Sequence, residues 1–568
     1  MKKWLTAPIN SQIPLHWANI LHIPETILIL LWQRGITSLE EMNIFLSPKL
    51  QYLAHPKHWN GIEDAVELLN NAIEQKQPII IWGDYDVDGV TGSTVIREVL
   101  TFHQAQVIVH LPDRKKEGYG VNIPVIEQLA LEHPKALLIT VDCGISDIKA
   151  ICRARELGFT IIISDHHLPP ISLPPAHVIC NPRIGENPCS YLAGVGIAFF
   201  LMAALNNKRA EQTGQRMDIR DVLDLVALGT LADMAVLSGQ NRILVKNGLL
   251  KIAEAKRPGI AALKSVSGFS PLTHLGAGQV TFHLAPRINA AGRLGSPRIA
   301  HEMLYTTSKD FAIEHATLLN KINEERRSEE EHIFNAALEQ AYSENQRQGL
   351  VLHGSDWHQG VLGIVASRIT EAVHKPVLIL CTDGKMLKGS GRSIADFDLY
   401  NGLSQCSDLF ERFGGHKQAA GLTLPINHLH ILKERFDTVV RNFFGDTPIT
   451  PILHIDMELP FQKATNFNFL KSLELLQPFG IGNPEPIFSS LPLRIQRCNT
   501  FGKHKEHINM LVVEEISGIS LQAKGWRLAK NISSSLQSSR IQLAYTPSLN
   551  FYNGISSIEL EIKDWVEL

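Results

Sequence analysis

The sequence has no Cys-x-x-Cys pair, no apolar run of membrane-spanning length and no surplus of basic charge. Its seven cysteines are scattered and odd in number, which argues against a disulfide framework and for a reducing cytoplasm. The longest apolar run, Val195–Leu205, falls far short of the ~20 residues that cross a bilayer. The start, Met1-Lys2-Lys3, meets Pro8, Asn10 and Pro14 before any apolar stretch, so no signal-peptide core is expected. Lys and Arg total 54 against 57 Asp and Glu, a formal charge of −3. No global field draws such a chain onto nucleic acid, and a nucleic-acid role needs a local basic groove. Clear repeats and low-complexity tracts are missing too. What is there is a globular chain of 568 residues, 44% hydrophobic and 20% charged. At ~100–200 residues per domain, that length suggests roughly three to five domains.

The first 75 or so residues read as helices with polar breaks. Short apolar runs then alternate with helical stretches: Ile79–Trp82, Val107–Leu111, Ala136–Val141 and Thr160–Ile163, with helical patterns at Val90–Phe102 and Asp147–Leu157. Such alternation predicts βαβ units and a parallel sheet, in which ligands bind beyond the carboxyl ends of the strands. Residues 206–254 look helical. Residues 308–345 form a long charged segment whose charge suits a solvated helix face and whose position suits an interdomain helix. A second α/β block is expected at about 349–425, and a small β domain from about 450 onward.

The polar residues after the apolar runs form clusters. Asp84, Asp86 and Asp88 alternate in Gly83-Asp84-Tyr85-Asp86-Val87-Asp88-Gly89. The alternation is that of a Ca²⁺-binding EF-hand loop, but the twelfth position is Val95 where Glu is required, and a strand precedes the cluster. Three adjacent carboxylates repel one another unless a cation sits among them. Asp142 ends a second run, and taken alone it would be a helix cap or turn residue. Ser164-Asp165-His166-His167 ends a third, and Asp233 follows the apolar helix Val222–Leu231. Carboxylate with imidazole suits Mn²⁺, Fe²⁺ or Zn²⁺ better than Ca²⁺, and without cysteine in the set a structural zinc is not expected. The implied site holds two metals about 3.5–4 Å apart, as in phosphoester hydrolysis.

Asp86-Val87-Asp88, Asp142 and Asp165-His166-His167 resemble the DHH phosphoesterase superfamily. The fuller pattern is similar to its RecJ family of bacterial single-strand-specific DNA exonucleases. It adds Pro286-Arg287-Ile288-Asn289-Ala290-Ala291-Gly292-Arg293 and Gly414-Gly415-His416-Lys417-Gln418-Ala419-Ala420-Gly421, and runs from about residue 50 to the C-terminus. The resemblance implies an α/β fold. An N-terminal helical segment (1–50) precedes a parallel-sheet DHH catalytic domain (51–305), a long connecting helix (306–348), an α/β DHHA1 domain (349–448) and a C-terminal OB-like β domain (449–568). It implies 5′→3′ hydrolysis of single-stranded DNA to 5′-mononucleotides with two Mn²⁺ or Mg²⁺ ions, in DNA repair and recombination. It also implies a cytoplasmic monomer that works with a single-strand-binding protein and a helicase. Asp86, Asp88, Asp142, His166 and Asp233 are then metal ligands, with Asp142 the bridge. The superfamily carries a His where Trp82 stands here; Trp cannot ligate, and Asp84 becomes a further ligand. His166 and His167 join Asp142 as catalytic residues, with His167 contacting phosphate or orienting the nucleophile.

Phosphodiester hydrolysis also needs cationic donors on the phosphates. Arg114 follows an apolar run, and Tyr119, between two glycines, could stack on a base. Gly389-Ser390-Gly391-Arg392-Ser393 and Gly414-Gly415-His416 read as Gly-rich loops whose N–H groups could approach phosphate. By resemblance, Ser390 and Arg392 hold a terminal 5′-phosphate with help from Arg114. Gly414, Gly415 and His416 form a substrate loop, and Arg287, Asn289 and Arg293 line the strand's path. Lys503, His504, Lys505, His507, Lys524 and Arg527 around Trp526 suit an OB-like groove. Two alternatives stand beside this reading. A phosphodiesterase of short oligonucleotides or cyclic dinucleotides is disfavoured by the region after residue 450. A non-catalytic DNA-binding scaffold is disfavoured by the intact carboxylate and His set.

Overall fold

Ile79–Gly83 (β1) is buried along its whole length, as are Leu137–Val141 (β3) and all but the first residue of Thr160–Ser164 (β4). Strands rich in branched residues and buried on both faces are the mark of a parallel sheet covered by helices. With Val107–His110 (β2) and Val178–Cys180 (β5) they form a five-stranded sheet of order β2-β1-β3-β4-β5, parallel throughout. The chain leaves β1 for β2 on one side and returns to β3 on the other. The carboxyl ends of β1 and β3 therefore flank the topological switch point, where such sheets bind ligands. Helices Val87–Phe102 (α1), Gly194–Thr213 (α2) and Leu223–Ala232 (α3) pack against one another beside this sheet. The apolar run Val195–Leu205 lies inside α2, a buried core helix. A helix over Ala285–Leu294 (α4) follows a π-helical turn at Val280–Leu284.

The computed structural model describes all residues except 1, 115, 446, 448, 533–535, 537, 538, 553 and 554. They divide into two compact units. The larger comprises Trp4–Gly292, Pro297–Thr317 and Leu453–Leu568; the smaller, Arg293–Ser296 and Leu318–Ile452 with residues 2–3. The charged segment is one helix, Lys309–Ser343 (α5). Among the described residues, no helix is long and apolar enough to cross a membrane.

In the smaller unit, Leu350–Gly354 (β6), Val377–Asp383 (β7), Met386–Arg392 (β8), Arg412–Gly415 (β9) and Ala419–Pro425 (β10) form a sheet of order β9-β10-β8-β7-β6. Only β6 and β7 pair in parallel. Helix Leu362–Val373 (α6) covers one face together with Ile333, Ala337 and Ala341 of α5. Here the structure corrects the expected Gly-rich loop at 389–393. Gly389–Arg392 is an interior strand, with Ser390 paired to Ile379 on one side and Gly421 on the other. Its backbone is engaged in the ladder, so only side chains are left for a ligand.

In the larger unit, Leu493–Phe501 (β11), His507–Glu514 (β12), Ser520–Gly525 (β13), Arg540–Tyr552 (β14) and Ile555–Glu567 (β15) close into a barrel. Each pairs with the next around the ring β11-β12-β13-β15-β14-β11, an OB-like arrangement. The N-terminal helices share its core: Ile27, Leu30, Leu31 and Phe45 lie in one cluster with Leu459, Phe461, Phe488 and Tyr545.

Candidate active site

Asp86 stands where β1 turns into α1, and its Oδ1 accepts the Gly89 N–H at 3.1 Å as the helix N-cap. Asp88, one turn in, is buried. It accepts the Gly194 N–H at 2.7 Å and the Val195 N–H at 2.8 Å from the first turn of α2. A Cβ on Gly194 would lie 3.0 Å from both Asp142 and Asp88, so glycine is what lets that helix end approach. Asp142 follows β3 with φ +61°, a left-handed conformation that aims its carboxylate beside Asp84 and Asp88. Asp233 caps the C-terminus of α3.

Three groups of side chains bring a ligand atom from each member within 4.8 Å of the others: Asp84, Asp86 and Asp142; Asp88, His166 and Asp233; Asp142, His166 and His167. Asp142 and His166 each belong to two groups. His166 Nε2 lies 3.0 Å from Asp142 Oδ1, yet neither atom has a hydrogen-bond partner, and buried Asp84 Oδ1 lacks one as well. Orphaned acceptors converging at a strand end fit divalent cations. The electrostatics agree. Burial, then Asp86, pushes Asp88 up to about 7. Burial, then Asp88 and Asp86, pushes Asp233 up to about 8. Burial and the neighbouring carboxylates raise Asp84 and Asp142 well above the usual range. Burial, with the nearby His167, lowers His166 to about 4, which keeps it a neutral imidazole as ligation requires.

His167 is set differently. Asp165 Oδ1 accepts both its backbone N–H, at 3.0 Å, and ring Nδ1 at 2.8 Å, while Asp165 Oδ2 accepts the Ile145 N–H. Burial opposes a charge on His167, but Asp165 outweighs it and lifts the ring to about 9. The same bond holds Asp165 below its ordinary value in spite of burial. Arg183 donates to the His166 carbonyl and Asn181 to that of His167, which fixes both main-chain positions. Trp82, where a ligand is missing, is buried against His110.

Arg114 lies over the Tyr85 ring at 5.3 Å, and Tyr119, 52% exposed, meets Tyr85 and His167 edge-on. Glu117 latches this loop through His110 Nε2 at 2.7 Å and the Asp113 N–H at 2.9 Å; Lys115 lies outside the described residues. Asn289 accepts the Val87 N–H at 3.3 Å, which ties α4 to the start of α1. Arg287 donates to the carbonyls of His283 and Val266. In the smaller unit, Arg293 donates to the Gly360 carbonyl at 3.1 Å. There, too, Arg392 donates to Ser390 Oγ at 3.1 Å, facing Gly363 in the first turn of α6, and no carboxylate pairs with it among the described residues. Gly414, Gly415 and His416 lie exposed on the β9–β10 hairpin. In the barrel Phe501, His507 and Trp526 cluster, with Trp526 53% exposed. Lys524 pairs with Glu559 at 2.8 Å.

Three family domains match the chain: the DHH family N-terminal domain over residues 78–230, the DHHA1 domain over 346–442 and the RecJ OB domain over 455–564. The single-stranded-DNA-specific exonuclease RecJ of Haemophilus influenzae is 35% identical over 545 residues, 92% of this chain and 93% of that protein. The chain belongs to the RecJ family. Two solved RecJ structures from Thermus thermophilus are similar over 99% of this chain. One, in complex with Mn²⁺, has TM-score 0.84, 29% identity and 79% of that chain covered. The other, with Mg²⁺, has TM-score 0.77, 28% identity and 78% covered. For a RecJ-family chain, the residue that sequence reasoning undervalued is Asp165. It was legible only as part of the Asp-His-His triplet, because nothing in the spacing says that its carboxylate turns back onto His167.

Proposed function

We propose that this chain hydrolyses single-stranded DNA from the 5′ end, releasing 5′-mononucleotides with two Mn²⁺ or Mg²⁺ ions, in DNA repair and recombination. The observation that carries this is that two groups at neighbouring strand ends, Asp84 with Asp86 and Asp142 and Asp88 with His166 and Asp233, meet where His166 Nε2 lies 3.0 Å from Asp142 Oδ1. Asp84, Asp86, Asp88, Asp142, His166 and Asp233 would hold the ions, with Asp142 between them. When bound, the ions would supply Lewis acidity to the phosphoryl oxygens and lower the pKa of a water nucleophile. The chain's own residues do the rest. Asp165 holds Nδ1 of His167, so that the ring orients a phosphate oxygen or the nucleophile. Arg114 and Tyr119 meet the phosphate and base of the terminal nucleotide. Arg392 and Ser390 hold a terminal phosphate as side-chain donors, since their backbone is engaged. Arg287, Asn289 and Arg293 flank the strand, and Gly414, Gly415 and His416 touch it from an exposed hairpin. The barrel grips the incoming strand through Trp526 and its neighbours, because an exposed aromatic stacks on any base.

The same proposal covers the division at residues 50, 305, 348 and 448; the matches at 346–442 and 455–564 lie close to its DHHA1 and OB-like parts. It also covers a monomeric, cytoplasmic enzyme, in keeping with seven free cysteines. A helicase and a single-strand-binding protein would supply its substrate as partners. The test is hydrolysis of 5′-labelled single-stranded, duplex and RNA oligonucleotides with Mn²⁺. Labelled mononucleotide appearing first, from single-stranded DNA alone, is expected. Internal cuts, or release that starts at the 3′ end, overturn it.

A further inference from the structure

Arg242 is 1% exposed, and among the described residues no carboxylate pairs with it. Its guanidinium donates to four carbonyls: Nε to Phe45 at 3.0 Å, Nη1 to Leu476 at 3.1 Å, and Nη2 to Leu475 at 3.0 Å and Gln477 at 2.9 Å. The Phe45 ring lies 3.6 Å from its Cζ. Three parts of the chain meet there. Arg242 sits on helix Gly239–Glu254, which packs along α3, the helix that ends at Asp233. Phe45 belongs to N-terminal helix Leu39–Leu46. Leu475–Gln477 follow helix Phe467–Glu474 of the barrel region, so the guanidinium caps a helix C-terminus, where carbonyls lack partners and the dipole favours a cation.

Around this fork the same segments are stitched together. Lys246 Nζ donates to the Gln477 carbonyl at 3.2 Å, and the Leu237 N–H donates to the Ile481 carbonyl at 2.7 Å. Asn483 turns its amide back onto the carbonyls of Leu476 and Pro478. Residues 475–483 are thereby docked on residues 236–246, a stretch that begins just after Asp233. A buried charge is costly, and an apolar contact would hold two segments together as well. What a planar fork adds is direction, since four bonds in one plane fix orientation as well as proximity.

We propose that Arg242 is a positioning residue that sets the barrel against the catalytic sheet, so that a strand held by the barrel meets the metal centre in line. This rests on the reading that the barrel grips the incoming strand. Two sites on one strand gain effective concentration only while their geometry matches, so loosening the fork weakens long strands and leaves short ones alone.

The test compares Arg242→Lys, Phe45→Leu and Trp526→Ala in the full chain. The readouts are KM and kcat on a long strand and on a trinucleotide, with hydrogen exchange at the Leu237 amide. Arg242→Lys keeps the charge but cannot span four carbonyls. It should raise the long-strand KM by about tenfold, keep both trinucleotide constants within about twofold, and speed Leu237 exchange. If Arg242→Lys fails to fold, Phe45→Leu decides by the same readouts. Equal effects on long and short strands, or none on long ones, overturn the inference. When Trp526→Ala raises the long-strand KM and the Arg242 fork variant does not, the barrel reading stands and this inference falls. A wild-type long-strand KM in Trp526→Ala removes the barrel reading and this inference with it.

Discussion

Asp165 and His167 form a 2.8 Å carboxylate–imidazole pair in which the carboxylate holds ring Nδ1 and Nε2 lies on the other side of the ring. In this respect the middle acid of the strand-end cluster orients a neighbour, as the carboxylate partner of a catalytic histidine does elsewhere. Asp165→Ala should therefore lower kcat by at least about a hundredfold with little change in KM. Steady-state kinetics with Mn²⁺ decide it. An Asp165→Ala enzyme that loses substrate affinity but keeps kcat would falsify the orienting role.

Burial, then the neighbouring Asp88, Asp86, Asp84 and Asp233, raises the pKa of Asp142. Asp142→Ala removes the carboxylate at which the two groups meet and also a costly buried acid. Hydrolysis should drop by at least about a thousandfold, while the metal-free protein melts no lower than wild type. A folded variant that still degrades single strands at near-wild-type rate would end the two-ion reading.

The same repulsion sets a pH dependence. Asp88 and Asp233 are raised to about 7 and about 8 in the folded, metal-free protein. A carboxyl raised on folding favours the fold while protonated. Its contribution is full below the ordinary value near 4 and drains away as pH rises to the folded value. Metal-free protein should therefore melt lower at pH 8 than at pH 5, with Mn²⁺ restoring the loss. Since ligation expels these protons, Mn²⁺ affinity should climb over that interval. Melting curves with and without chelator, and calorimetry in buffers of different ionisation enthalpy, test both. A Tm independent of pH in chelator would rule it out.

Arg392 shares its Nη1 with Ser390 Oγ and the Gly391 carbonyl, and burial lowers its pKa. A phosphate would give it the anion it lacks. Arg392→Ala should abolish a preference for 5′-phosphorylated over 5′-hydroxyl strands, on the order of tenfold, with less effect on general binding. Gly363→Ala should reduce the same preference, because its Cβ would sit 3.0 Å from Arg392 Nη2 and 3.2 Å from Ser390 Oγ. Undiminished preference in both variants would count against this pocket.

Much of this was legible in the sequence because the signals were local. Ile79–Trp82 and Leu137–Val141 announce buried parallel strands, and Asp84, Asp86, Asp88 and Asp142 stand directly after them. Gly389 and Gly391 misled because glycine has two uses. Here they make room in a sheet, where a Cβ would come within 2.2 Å of Leu380 and 2.6 Å of Leu378. The partners of Lys524 and Arg242 were hidden because Glu559 and Leu475–Gln477 come from distant parts of the chain. No periodicity shows that Phe45 and Tyr545 share a core. No spacing shows that Asn289 Oδ1 accepts the Val87 N–H at the start of α1.

Asp86 caps one helix and Asp88 is bonded to the first turn of another, so two of the candidate ligands are pinned by rigid elements. A cage held this way cannot easily dilate. Ca²⁺ takes oxygen ligands at about 2.3–2.6 Å and six to eight of them, whereas Mg²⁺ wants about 2.0–2.1 Å in an octahedron. The helix ends that aim these carboxylates would thus act as a size filter, one that fits the smaller ion and leaves the larger short of the ligands it needs.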